Sequence, residues 1–132
     1  MAAIPYAPSG ETSSAEFPTL LVTGRRLEHY NAGTMTRRTD NLELMPEELI
    51  QIHPEDASDL GVATGDRVRV ASRRGEIELA AELTDRVSPG QAFMAFHFPE
   101  ALANRLTSQA VDTVTSCPEY KVTAVQIERA AT

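Results

Sequence analysis

The feature that most limits how this chain can fold is the rhythm of its apolar runs. From Phe17 onward, short apolar or alternating stretches follow one another, separated by turn signals, without the long helical spacing that a βαβ crossover needs. "TLLVT" at 19–23 opens the series and "ELIQIH" at 48–53 continues it. "RVRVAS" at 67–72 sets Val68 and Val70 on one side, and "EIELAAELT" at 76–84 does the same with Ile77, Leu79, Ala81 and Leu83. Between them "SRRGE" reads as a hairpin turn with Gly75 as its positive-φ residue. "SPGQ" at 88–91 turns into the apolar strand "AFMAFHF" at 92–98. In the last run, "YKVTAVQIE" at 120–128, both the Val122–Ala124–Gln126 and Thr123–Val125–Ile127 faces are largely apolar, so it belongs inside a closed or covered sheet. Six or seven short strands with two small helices favour a compact barrel over a doubly wound sheet.

The two helices have local signals. In "HPEDASDLGV" at 53–62, His53 or the peptide before it caps, Pro54 is pre-set for the first turn, Glu55 and Asp56 suit the positive end, and Gly61 stops the helix. "PEALANRLT" at 99–107 reads as a short amphipathic helix. Residues 1–16, "MAAIPYAPSGETSSAE", lack periodicity and read as a flexible linker or arm, leaving 17–132 as one folded domain.

Several function classes are disfavoured. A net charge of −7 argues against general nucleic-acid binding, which needs widespread Lys and Arg. The single cysteine, Cys117, cannot form an internal disulfide, a cysteine zinc site or an iron–sulfur cluster, and it reads as an inert, partly buried thiol. His29, His53 and His97 lack metal-ligand spacing, and no nucleophile elbow is present, so neither catalytic nor metal residues are expected in this chain. The pairs Glu47–Glu48 and Glu55–Asp56 read as helix N-terminal carboxylates. No apolar run reaches the length of a membrane span and no signal peptide is evident, so a cytoplasmic location is expected.

The basic stretch after the first strand, "TGRRLEHYNAGTMTRR" at 23–38, reverses the charge of the whole. Four of the twelve Lys and Arg fall between Arg25 and Arg38 against the single acid Glu28, giving this window +3 and the remainder −10. Such a patch suits an anion. Gly24 leaves the main chain open to close approach, Arg25 or Arg26 offers a planar fork to phosphate, Thr34 and Thr36 offer hydroxyls, and His29 and Tyr30 offer flat rings. An extended ligand with a pyrophosphate and aromatic ends would fit, without a Rossmann or P-loop fingerprint.

Taken in order, "TGRRLEHYNAGTMTRR", the run from Ile52 to Phe98, "EALANRLT" and "CPEYKVTAVQIE" resemble the C-terminal domain of the molybdopterin oxidoreductases related to dimethyl sulfoxide reductase. Formate dehydrogenase alpha (catalytic) subunits show the most similar pattern. The resemblance covers about Phe17 to Arg129 and implies a mainly β, six-stranded double-psi β-barrel with short helices that encloses molybdopterin guanine dinucleotide. It implies contacts from Thr23, Gly24 and Arg25, then Leu27, His29, Thr34, Met35 and Thr36 towards the pterins, then Phe96 and His97, Asn104, Tyr120 and Lys121. It also implies that the molybdenum or tungsten ligand lies in the remaining catalytic domains or subunits, the chain's expected partners, so that the chain alone is inactive. The alternative is a non-catalytic barrel serving as an interaction or adaptor module, which has no need of the basic loop.

Overall fold

The computed structural model describes the whole chain except Met1, Ala2, Ile4, Ala7, Thr113 and Thr132. Six strands, β1 (Thr19–Gly24), β2 (Leu49–Ile52), β3 (Arg67–Ala71), β4 (Glu76–Leu83), β5 (Gln91–Ala95) and β6 (Thr123–Arg129), close into a barrel in the order β1-β5-β2-β4-β3-β6. β1 with β5 and β2 with β4 are parallel pairs, and antiparallel pairings complete the ring. β1 and β2 flank β5, and β4 and β5 flank β2, so the β1–β2 and β4–β5 connections interlock as in a double-psi barrel. Alternation does the work: Val68 and Val70 point inward from β3 while Arg67 and Arg69 stay outside, and Ile77, Leu79 and Ala81 do the same from β4. With Leu21, Ile50, Ile52, Met94 and Val125 they fill the interior. Each fully buried aliphatic side chain contributes about 1.5–3 kcal/mol.

Local signals place α2 (Pro54–Leu60), which follows the four-residue helix α1 (Asn41–Leu44). His53 Nδ1 accepts from the Glu55 N–H at 3.2 Å, and Gly61 ends α2 in the left-handed conformation at φ 65°.

Long-range contacts override the sequence reading at several points. Gly75 is not among the positive-φ residues; glycine is needed there because a Cβ would lie 2.9 Å from the Arg105 carbonyl oxygen. The expected helix over 99–107 is instead two 3₁₀ turns, Pro99–Ala101 and Ala103–Arg105, broken at Leu102 with ψ 96°. The Leu106 carbonyl is captured by Arg74, whose Nε and Nη2 donate at 3.2 and 3.1 Å. β5 stops at Ala95 rather than running to Phe98, because the Ala95 and His97 amides turn to the Glu48 carboxylate. Glu47 and Glu48 therefore follow α1 and precede β2, and begin no helix. Cys117 is exposed, not partly buried, in the excursion pinned by the Val111–Pro118 bridge.

The expected arm over 1–16 includes Met1, Ala2, Ile4 and Ala7, which lie outside the described residues. Within the described part, Glu11 is only 8% exposed. Its carboxylate accepts from Arg74 Nη1 at 2.8 Å and from the Ala124 N–H of β6 at 3.2 Å, and faces Arg73 at 3.5 Å. Phe17 is buried beneath the Arg73 guanidinium.

Candidate functional site: a cleft at the ends of two parallel strands

Because β1 and β5 run parallel, with Gly24 opposite Ala95, the segments leaving them emerge side by side. This brings Arg25 against Phe96, the guanidinium carbon 5.1 Å from the ring centroid. Asn31 Oδ1 accepts from Arg25 Nε and Nη2 at 3.1 and 3.0 Å and fixes the fork there. The second 3₁₀ turn brings Asn104, and the approach to β6 brings Tyr120. With Thr107 and Pro118 these residues line a cavity of about 500 Å³. The segment that carries Tyr120 is tied to the end of β1: Thr23 Oγ1 donates to the Tyr120 carbonyl, and Lys121 Nζ donates back to the Thr23 carbonyl at 3.1 Å. Lys121 Nζ also stands 5.4 Å from the Tyr120 ring centroid. Arg25, Phe96, Asn104 and Tyr120 thus converge on the cleft, with Thr23 and Lys121 bracing it.

Other candidate residues lie elsewhere. His29 and His97 are buried and saturated within the protein. His97 Nε2 accepts from the Arg26 N–H at 2.9 Å, so Nδ1 carries the proton given to the Asn31 carbonyl. His29 Nε2 donates to the Met45 carbonyl at 2.8 Å, and its Nδ1 meets Thr36 Oγ1 at 2.9 Å. Both rings hold the loop together. Gly24 does not leave open main chain, since a Cβ there would lie 2.6 Å from Phe93 Cε2. Leu27 and Met35 are exposed outside the cleft, and Thr34 lines a separate hollow of about 300 Å³ with Gly33, Arg37 and Arg38.

Residues 19–124 match the family described as "Molydopterin dinucleotide binding domain". The chain belongs to this family. It is 46% identical over 127 residues to the F420-dependent formate dehydrogenase subunit alpha of Methanocaldococcus jannaschii, and 43% identical over 128 residues to F420-dependent formate dehydrogenase 1 subunit alpha of Methanococcus maripaludis. Each comparison covers 96% of this chain and 19% of the relative, so the chain spans about one fifth of their length. A chain of acetylene hydratase from Pelobacter acetylenicus superposes with a TM-score of 0.74 at 15% identity, over 87% of this chain and 19% of that one, which shows the shared fold. The cofactor of the family is a molybdopterin dinucleotide.

The charges of this molybdopterin dinucleotide-binding domain suit an anion at the cleft. Of the four loop arginines, Arg26 is neutralised by Glu82 at 2.5 Å and Arg37 by Glu100 at 2.7 Å. Burial works to raise the Glu82 pKa, but hydrogen bonds from Gln51 and Arg26 outweigh it and hold the carboxyl ionised. Arg25 and Arg38 have no carboxylate partner among the described residues; Arg38 lines the hollow beside Thr34, whereas Arg25 stands at the cleft with its Nη1 making no hydrogen bond among them. A second concavity of about 270 Å³ sets Glu47, Glu48, Glu78 and Glu100 against Arg37 and Arg67, and this excess of acids disfavours an anion. Two aromatic faces, a guanidinium with unspent donors and the amide of Asn104 fit a pyrophosphate joined to flat heterocycles. Sequence reasoning missed Thr107 and Pro118, whose place depends on the 3₁₀ turns and the excursion before β6. It also missed Asn31 and Glu48. Asn31 carried one local sign, a residue type that tolerates the positive φ of 48° found there.

Proposed function

We propose that this chain encloses molybdopterin guanine dinucleotide as part of a formate dehydrogenase alpha subunit, with the Arg25–Phe96–Asn104–Tyr120 cleft as its principal contact. The observation that carries this reading is the guanidinium of Arg25, held by Asn31 over Phe96 at the mouth of an otherwise largely apolar cleft. Arg25 would bind the pyrophosphate by charge-assisted hydrogen bonds, Phe96 and Tyr120 would flank a heterocycle, and Asn104 would read polar edges. Thr23 and Lys121 keep Tyr120 in place, and His29, Thr36 and His97 keep the loop in shape. Gly24 allows Phe93 to pack beside the strand end, and Leu27, Thr34 and Met35 face the remainder of the cofactor. When bound, the cofactor supplies the molybdenum or tungsten centre for oxidation of formate to carbon dioxide, and the remaining domains or subunits hold that metal. The chain itself binds and orients, and is inactive alone.

Titrating the chain with isolated molybdopterin guanine dinucleotide tests this. Arg25→Ala is expected to weaken binding by roughly 10–150-fold, the loss of about 1.5–3 kcal/mol for one charge-assisted hydrogen bond, with an unchanged melt. Equal affinity in the wild type and Arg25→Ala would show that the cleft is not the contact. The exposed Leu27, Tyr30, Met35 and Leu44 favour a second reading, a protein-interaction module, in which Arg25→Ala leaves dinucleotide binding untouched and Leu27→Asp breaks a protein complex.

A further inference from the structure

Glu48 is 2% exposed, and neither the fold's apolar core nor the proposed ligand contacts use it. Its Oε1 accepts from the Ala95 N–H at 3.0 Å and its Oε2 from the His97 N–H at 3.3 Å, the two amides that flank Phe96. Ionised carboxylates accept at both oxygens and donate nothing. A glutamine would have to aim its NH₂ at one of these donors.

The constraint passes further. His97, fully buried, uses its ring to bridge the Arg26 N–H and the Asn31 carbonyl, and the Asn31 side chain grips Arg25. We propose that Glu48 is a positioning residue for the cleft, a buried carboxylate that sets the backbone of Phe96 and, through His97 and Asn31, the guanidinium of Arg25. The proposal rests on the reading of this cleft as the dinucleotide site. A carboxylate kept for fold stability alone would be a poor choice, because a buried charge is often matched or bettered by an apolar side chain of similar volume. Burial accordingly pushes the Glu48 carboxyl above its ordinary pKa, opposed by the Ala95 and His97 amides.

The test uses the isotope-labelled chain, guanosine diphosphate as probe, and the variants Glu48→Gln, Asn31→Ala, Arg25→Ala and Glu48→Gln/Arg25→Ala. Glu48→Gln is expected to speed solvent exchange of Arg25 Nε–H and to weaken guanosine diphosphate binding, each about tenfold, while in the Arg25→Ala background it changes binding less than about twofold. A role in stability alone would weaken binding by the same factor in both backgrounds, and that result overturns the proposal. So does unchanged Arg25 Nε–H exchange in Glu48→Gln. If Glu48→Gln fails to fold, Glu48→Asp carries the test: the shorter carboxylate cannot hold both amides from the same backbone position, so Arg25 exchange must rise towards the rate in Asn31→Ala, and an unchanged rate refutes the relay. If the wild type does not bind guanosine diphosphate while Glu48→Gln still frees Arg25, the positioning role stands and the ligand reading of the cleft falls.

Discussion

Replacing Glu11 with alanine asks whether the N-terminal arm is a tail or a structural strap. Its carboxylate holds Arg74 Nη1 at 2.8 Å, the Ala124 N–H at 3.2 Å and, more loosely, Arg73 at 3.5 Å. Arg74 keeps two bonds to the Leu106 carbonyl in the variant, so it is not stranded. The buried Ala124 amide is left without its acceptor, at about 1–3 kcal/mol, and the charge-assisted bond to Arg74 contributes about 1.5–3 kcal/mol. Water reaching the loosened arm offsets part of this, so the net loss is about 2–4 kcal/mol. For a chain of this length that is a fall in Tm of roughly 8–16 °C. The same carboxylate predicts a pH signature. Arg74, then the Ala124 amide and Arg73, hold the Glu11 pKa below its ordinary value despite burial. A carboxyl lowered by folding stabilises fully above its unfolded pKa of about 4.3, and that contribution disappears as pH falls through the lower folded value. The Tm difference between the wild type and Glu11→Gln should therefore be constant near neutrality and shrink below about pH 4. Scanning calorimetry from pH 3 to 7 measures both effects. A Glu11→Ala melt within about 2 °C of the wild type would refute the strap.

Three further outcomes are expected. Gly75→Ala places a Cβ 2.9 Å from the Arg105 backbone oxygen and should cost about 1–3 kcal/mol in urea unfolding; a neutral result would contradict that packing. Gly33→Ala combines a φ of +68° with a Cβ 2.8 Å from the His97 carbonyl oxygen, so it should lower Tm and shift the Arg25 and Asn31 side-chain resonances together. Purified, metal-free chain should not oxidise formate with artificial electron acceptors, and turnover above background would sink the division of labour proposed here.

What the sequence discloses is what local physics controls. His53–Pro54 and Gly61 mark α2 because capping, proline and the left-handed stop act within a few residues. The β3–β4 hairpin reads correctly from alternation, as does β6 from its two apolar faces. The conformation of 99–107 does not, because the Arg74 guanidinium that captures Leu106 comes from a hairpin about thirty residues earlier. The role of Gly75 is hidden for the reciprocal reason. Glu48 looks like one of a pair of surface acids, and only closure of the barrel brings the Ala95 and His97 amides to it. At the site, Arg25, Phe96, Asn104 and Tyr120 were nameable from the family resemblance, but spacing alone could not show that a parallel β1–β5 pair sets the first two together. Nor could it show that His29 and His97 spend their ring nitrogens inside the loop.

The central claim is that the cleft at the ends of β1 and β5 takes the dinucleotide. Backbone and side-chain NMR shifts of the labelled chain, recorded during titration with molybdopterin guanine dinucleotide, test it most directly. The account predicts saturable shifts concentrated at Arg25, Phe96, Asn104, Thr107 and Tyr120, with little change along α2. Saturable shifts centred on another face of the barrel, or none at any concentration reached, would contradict it.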